Sequence, residues 1–217
     1  MKRNDTEKEK GILIVLSGFS GAGKGTLVKE LLNTYRDEYA LSVSMTTRAP
    51  REGEQDGVHY FFTDRAHFED TVAKGGLIEH AEYCGNYYGT PKAYVEEQMA
   101  AGRNVLLEIE IQGALQIKKL FPESLLLFVT PPTAAELERR LKNRGTETEE
   151  VIAKRLSRAS EESEGMEAYD YIVINDDLQA CVKELHGIVQ AARREPVRTK
   201  AFIEEIQKEL KGFVKGE

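Results

Sequence analysis

Cysteine is scarce in this sequence, positive charge is not in excess, and no apolar run is longer than a strand. The two cysteines, Cys84 and Cys181, form no CxxC pair and no framework of paired spacings. They read as free thiols in a reducing compartment rather than as a disulfide scaffold. Lysine and arginine total 30 against 37 acidic residues, a net charge of −7, which argues against a binder of polyanionic backbones. A small anion needs only a local arginine cluster, so that class stays open. No run is long enough to span a membrane, and the first residues, MKRNDTEKEK, lack the apolar stretch of a secretory leader. A cytoplasmic protein with residues 1–10 as a disordered tail is expected. His59, His67, His80 and His186 show no metal-ligand spacing. At 41% hydrophobic and 31% charged, the 217 residues suit one large domain, or a core with inserted subdomains.

Apolar runs at residues 11–18 (GILIVLSG), 104–111 (NVLLEIEI), 124–130 (SLLLFVT) and 171–175 (YIVIN) are each followed by a helical pattern. In the first of these helices Leu27, Val28, Leu31, Leu32 and Tyr35 share one stripe. Alternating strands and helices imply an α/β core, a mostly parallel sheet with helices on both faces. Residues 43–90 depart from that rhythm, with short β-like pieces and one helix near Arg65–Ala73. Residues 133–163 are charge-dense and helical, with capping-box spacing at Thr133/Glu136 and Thr146/Glu149 and Gly145 between the two helices. The core is thus expected over 11–42, 91–132 and 164–217, with a mixed α+β substrate subdomain at 43–90 and a helical lid at 133–163. Beyond Pro196, Phe202, Ile203, Ile206, Leu210 and Phe213 form an amphipathic stripe that either packs on the parent core or contacts a subunit.

Between the first strand and first helix stands Gly18-Phe19-Ser20-Gly21-Ala22-Gly23-Lys24-Gly25-Thr26. Glycines let the backbone N–H groups turn inward on a phosphate, and the helix N-terminus adds positive partial charge. Lys24 is placed to reach β- and γ-phosphates. This is a P-loop NTPase-type arrangement. Its one departure is Gly25 where the common pattern has the magnesium-binding hydroxyl; Thr26 either touches the metal or holds the α-phosphate instead. The GKGT ending is shared with adenylate kinases and some guanylate kinases.

The segments SVSMTTRAPREGE (42–54), HYFF (59–62), LIEHAE (77–82), GNYYGT (85–90) and RGTETEE (144–150) resemble, in order, those of guanylate kinases. The resemblance runs from about residue 11 to residue 178. Arg48 and Arg51, three apart around a proline, are two guanidinium forks suited to one small dianion. The resemblance implies that they bind the GMP phosphate with the hydroxyls of Tyr60 and Tyr88. It also implies that Glu79 and Glu110 face guanine N1–H and the 2-amine while Ser44 and Thr90 donate toward O6. Carboxylates there favour guanine, because adenine N1 sets acceptor against acceptor.

Glu108 and Glu110, two apart in LLEIEI, are expected on one face of a strand near its carboxyl end. Many guanylate kinases carry aspartate at both positions. Glu108 is expected near Lys24 or hydrated magnesium and Glu110 near the guanine amine; an exposed edge strand is the competing reading. By resemblance the lid brings Arg140 and Arg155 onto the transferring phosphates and Arg144 against ATP, with a salt-bridged helical hairpin as the alternative. Arg158, one turn beyond Arg155, receives no role. Asn175 approaches the adenine by resemblance, or is an ordinary turn residue.

The implied reaction is reversible, direct in-line transfer of the ATP γ-phosphoryl to GMP, with Mg2+ entering as MgATP and no phosphoenzyme. The partners expected are ATP and GMP, with dGMP as a further acceptor and no nucleic acid or membrane. The chain is expected as a monomer or homo-oligomer. An adenylate-kinase-like enzyme and a catalytically silent, guanylate-kinase-like peptide-binding module are the rival readings.

Overall fold

A computed structural model describes residues 10–83, 85–143 and 148–214. Five strands, β1 (Leu13–Gly18), β2 (Tyr39–Leu41), β7 (Asn104–Glu108), β8 (Leu125–Thr130) and β9 (Tyr171–Ile174), make an all-parallel sheet in the order β2-β7-β1-β8-β9. Four others, β3 (Met45–Thr46), β4 (Phe61–Phe62), β5 (Leu77–Tyr83) and β6 (Asn86–Pro91), make a second sheet ordered β4-β3-β6-β5. Its β3/β6 and β5/β6 pairs are antiparallel. The helices are α1 (Lys24–Thr34), α2 (Arg65–Ala73), α3 (Lys92–Ala100), α4 (Ile111–Leu120), α5 (Ala134–Lys142), α6 (Glu149–Ser163), α7 (Leu178–Ala192) and α8 (Lys200–Val214).

The central strands are apolar along their length because both faces are covered. Ile14, Val15, Leu16, Val105, Leu106, Leu126 and Leu127 are all fully buried. Each such aliphatic side chain contributes roughly 1.5–3 kcal/mol by leaving water. Helix α1 sets Leu27, Val28 and Leu31 into this core and packs against α7, while α4 packs on β1 and α3 on β7. Neighbouring β1 and β7 therefore end on a rigid base. Their carboxyl ends carry the phosphate loop and Glu108.

The run 171–175 is an edge strand: β9 pairs only with β8, which leaves Tyr171, Ile172 and Ile174 partly exposed. The strand holding Glu108 lies between β2 and β1, so the edge reading of LLEIEI fails. Thr133 caps α5 by accepting from the Glu136 N–H. The Glu136 side chain does not complete the box; it pairs with Arg139 and Arg140 instead. Thr148 caps α6, accepting from the Val151 N–H. Thr146, Gly145, Arg144, Cys84 and the tail before Lys10 lie outside the described residues. In α8, Phe202, Leu210 and Phe213 are 58%, 59% and 82% exposed, so most of the stripe is uncovered, and Ile203 alone of its five residues is half-buried. Cys181 is a buried free thiol whose pKa burial pushes up to about 11.

Candidate active site

The phosphate loop joins β1 to α1. Gly18, at φ 148, passes so close to β8 that an added Cβ would lie 2.1 Å from the Val129 carbonyl oxygen. Gly23, at φ 89, takes the left-handed conformation that turns the loop into α1. Phe19 sends its ring inward, edge-on to Phe128 at 5.0 Å, so only its backbone faces the loop. Lys24 opens α1 and donates its ammonium to the carbonyls of Gly18 (2.7 Å) and Phe19 (3.2 Å). Gly25 and Thr26 are exposed in the first turn. The buried Asn175 amide donates to the Ala22 carbonyl at 2.8 Å and so braces the loop from the end of β9.

That contact is a stability prediction. Asn175→Leu leaves the Ala22 carbonyl without its main donor, and folding stability is expected to fall by about 1–3 kcal/mol. Denaturant unfolding measures this, and an unchanged midpoint would contradict it.

The helices α5 and α6 lean on the loop. Arg140 donates to Glu136 at 2.7 Å and to the Ala22 carbonyl at 3.4 Å, while Arg155 donates to the Ser20 hydroxyl at 2.7 Å. Arg139, then Arg140, holds the Glu136 carboxyl down to about 2. Arg140 thus takes Glu136, one of the partners the salt-bridged reading expects, inside α5, and Arg140 and Arg155 each also contact the phosphate loop. A cleft of about 440 Å³ opens here, lined by Gly18, Ser20, Lys24, Glu108, Arg155 and Arg158 among others.

A second cleft of about 390 Å³ lies between the two sheets, lined by Ser42, Ser44, His59, Tyr60, Thr90 and Glu108 among others. Glu108 and Ile109 line both clefts. Glu108 ends β7 as an exposed residue, but desolvation by the cleft walls pushes its carboxyl above its ordinary range, and the Lys24 charge opposes that rise. Beside Thr90, burial likewise raises Glu79, opposed by a 2.7 Å hydrogen bond from the Thr90 hydroxyl. Next along the second sheet, the Arg48 guanidinium sits 5.2 Å from the Tyr60 ring centroid, and Tyr60 meets Tyr88 edge-on at 6.1 Å. Arg48 pairs with Glu54 at 2.8 Å, whereas Arg51 is exposed. Arg48, then the Arg51 backbone N–H, holds the Glu54 carboxyl down to about 2.

Two expected placements are corrected. Glu110 does not share a strand face with Glu108. The β1/β7 ladder stops at Glu108, and Glu110 is the residue preceding the first turn of α4, where two-residue alternation no longer applies. Its carboxylate instead accepts from Arg158 at 2.6 Å, and Arg158 also donates to Glu162. The Thr90 hydroxyl, expected to point its proton at a base, gives it to Glu79. Two residues given no part emerge beside the clefts: Arg158, which the three-residue helical spacing from Arg155 could have flagged, and Glu54, whose Arg-Glu-Gly-Glu turn carries a weaker signal.

A phosphate loop between strand and helix, on a parallel sheet, with arginine-bearing helices against it, defines a P-loop nucleotide-binding α/β protein. The guanylate kinase family model matches residues 10–192. A guanylate kinase of Listeria innocua is 48% identical over 205 residues, covering 94% of this chain and 98% of its own. One of Halalkalibacterium halodurans is 54% identical over 185 residues, covering 85% and 90%. The crystal structure of guanylate kinase from Anaplasma phagocytophilum superposes with a TM-score of 0.68 at 34% identity, covering 88% and 91%. The chain belongs to the guanylate kinase family.

Proposed function

We propose that this protein is an ATP:GMP phosphotransferase that binds ATP at the phosphate loop and GMP in the cleft between the sheets. The observation that carries this reading is the meeting of the two clefts at Glu108 and Ile109, at the carboxyl end of β7. One side presents Lys24 and Arg155, and the other presents Ser44, Tyr60 and Thr90 with Glu79 behind it. A donor phosphate and an acceptor phosphate brought to that junction can react without crossing the protein.

In this reading residues 43–90 hold the acceptor and residues 133–163 close over the donor. The backbone N–H groups from Gly18 to Thr26 cradle phosphates, and Lys24 follows the charge that develops on the transferring group. Arg140 and Arg155 stabilise the same charge from the lid, Arg144 and Asn175 serve ATP, and Arg48 and Arg51 hold the GMP phosphate with Tyr60 and Tyr88. Glu79, oriented by Thr90, accepts from guanine N1–H, and Ser44 donates toward O6. Glu110 reaches the 2-amine only by leaving Arg158.

Magnesium fits as a partner of the phosphates. The described residues hold no cluster of three or more ligands for a metal ion, and Glu108, beside Lys24, is the carboxylate that reaches into both clefts. A hydrated ion bound through substrate phosphates needs no more than that from the protein, and it would neutralise phosphate charge. A cytoplasmic location belongs to the same reading, in keeping with the free Cys181 thiol.

Lys24 and the arginines supply positioning and charge stabilisation, which is all that direct, in-line transfer asks of the protein. Isotope exchange between ATP and ADP tests this: none is expected until GMP or GDP is added. Exchange with adenine nucleotides alone would contradict direct transfer.

A further inference from the structure

The turn that follows β3 carries Arg48, Arg51 and Glu54, and a single carboxylate closes it. Glu54 Oε1 accepts from Arg48 Nη2 at 2.8 Å, and Oε2 accepts from the Arg51 backbone N–H at 2.7 Å. The Glu54 backbone N–H in turn donates to the Arg51 carbonyl at 3.0 Å. Gly53, at φ 84, makes the left-handed step that brings the chain back far enough for this reciprocal pairing.

Arg48 is held on its other sides as well. Its backbone N–H donates to the buried Thr46 hydroxyl, and Nη1 donates to the Ala49 carbonyl at 2.7 Å. The rings of Tyr60 and Phe62 lie 5.2 and 5.9 Å from the guanidinium carbon. The Arg48 and Glu54 side chains are only 14% and 18% exposed. A guanidinium has five N–H donors; Glu54 and Ala49 take two and Tyr88 also interacts with the group, which leaves N–H groups of the fork for a phosphate. Such a fork binds well when its orientation is fixed beforehand, because less rotamer freedom is lost on binding.

We propose that Glu54 is a positioning residue for the acceptor's phosphate: it fixes the Arg48 fork and the Arg48–Arg51 turn in the geometry that grips a monophosphate dianion. This rests on the reading that Arg48 and Arg51 receive the GMP phosphate. Glu54 does not touch the base pocket, where Ser44, Thr90 and Glu79 stand. Its removal therefore acts on phosphate affinity and leaves base affinity alone.

Guanosine separates the two, since it offers the same base without the phosphate. Calorimetry on the full chain gives Kd for GMP and for guanosine in wild type, Glu54→Ala and Glu54→Gln. In wild type GMP binds more tightly than guanosine. In Glu54→Ala the GMP Kd is expected to rise about tenfold or more, the loss of one oriented charged hydrogen bond. Guanosine Kd stays within about twofold, and unchanged guanosine binding also shows that the fold survives. Glu54→Gln, which keeps one acceptor oxygen, loses less. In steady-state assays KM for GMP rises while KM for ATP holds.

A GMP Kd that is unchanged or tighter in both variants, against a wild type that prefers GMP, overturns the proposal. Tightening would show that Glu54 only dampens the arginine charge. Equal weakening of GMP and guanosine also overturns it, in favour of a general structural role. A wild type that binds the two equally removes the underlying phosphate-site reading, and the proposal with it.

Discussion

Lys24→Ala loses phosphoryl transfer, with kcat reduced by about 10³-fold or more and the fold intact. The Lys24 ammonium is held inside the phosphate loop by the Gly18 and Phe19 carbonyls and faces the carboxylate of Glu108. A cation fixed where charge develops acts without reorganisation, and removing one such preorganised group typically costs roughly 10²–10³ in rate or more. The core below the loop does not depend on this side chain, since α1 is anchored by Leu27, Val28 and Leu31. The fold should therefore survive, with only the modest loss of stability that releasing two part-buried loop carbonyls implies. Single-turnover kinetics, with thermal unfolding as the control, checks both halves. A variant that keeps a tenth of wild-type kcat would place the phosphate charge elsewhere.

Glu79→Gln lowers kcat/KM for GMP by about 10²-fold, because an amide donor then meets the donor edge of guanine. The Thr90 hydroxyl is already committed to Glu79, so the carboxylate is oriented before any base arrives. Burial raises the Glu79 pKa above its ordinary 4.5, and the Thr90 bond only partly opposes that rise. The base-accepting form is the ionised one. GMP affinity is therefore full above the raised pKa and is lost as pH falls through it, starting at a higher pH than an ordinary glutamate would give. Guanosine isolates this limb from titration of the substrate's own phosphate. Its Kd should rise toward acid pH in wild type and stay flat in Glu79→Gln; parallel profiles would remove Glu79 from base recognition.

Much of the fold was legible because periodicity and chain length carry it. The run 11–18 reads as a buried parallel strand and is β1, and the helix expected at Arg65–Ala73 is α2. The loop is local, so its glycines and Lys24 could be read from order alone. What failed were features set by distant contacts. The LLEIEI pattern alternates past the end of the strand, and nothing in it marks that pairing stops at Glu108. The Thr90–Glu79 bond depends on the β5/β6 register, which shifts between Leu77 and His80. Arg158 and Glu110 are 48 residues apart and meet only because α6 folds over the start of α4. The α8 stripe shows helical amphipathicity clearly, but amphipathicity does not say what covers the apolar face.

The most direct test of the account is acceptor choice, measured as kcat/KM for ADP release from MgATP with GMP, AMP, CMP and UMP in turn. The proposed readout of the base edge by Glu79, oriented by Thr90, and by Ser44 predicts GMP ahead of AMP by about 10³-fold or more. Comparable turnover of AMP, or no turnover of GMP by protein that still binds it, would contradict the account.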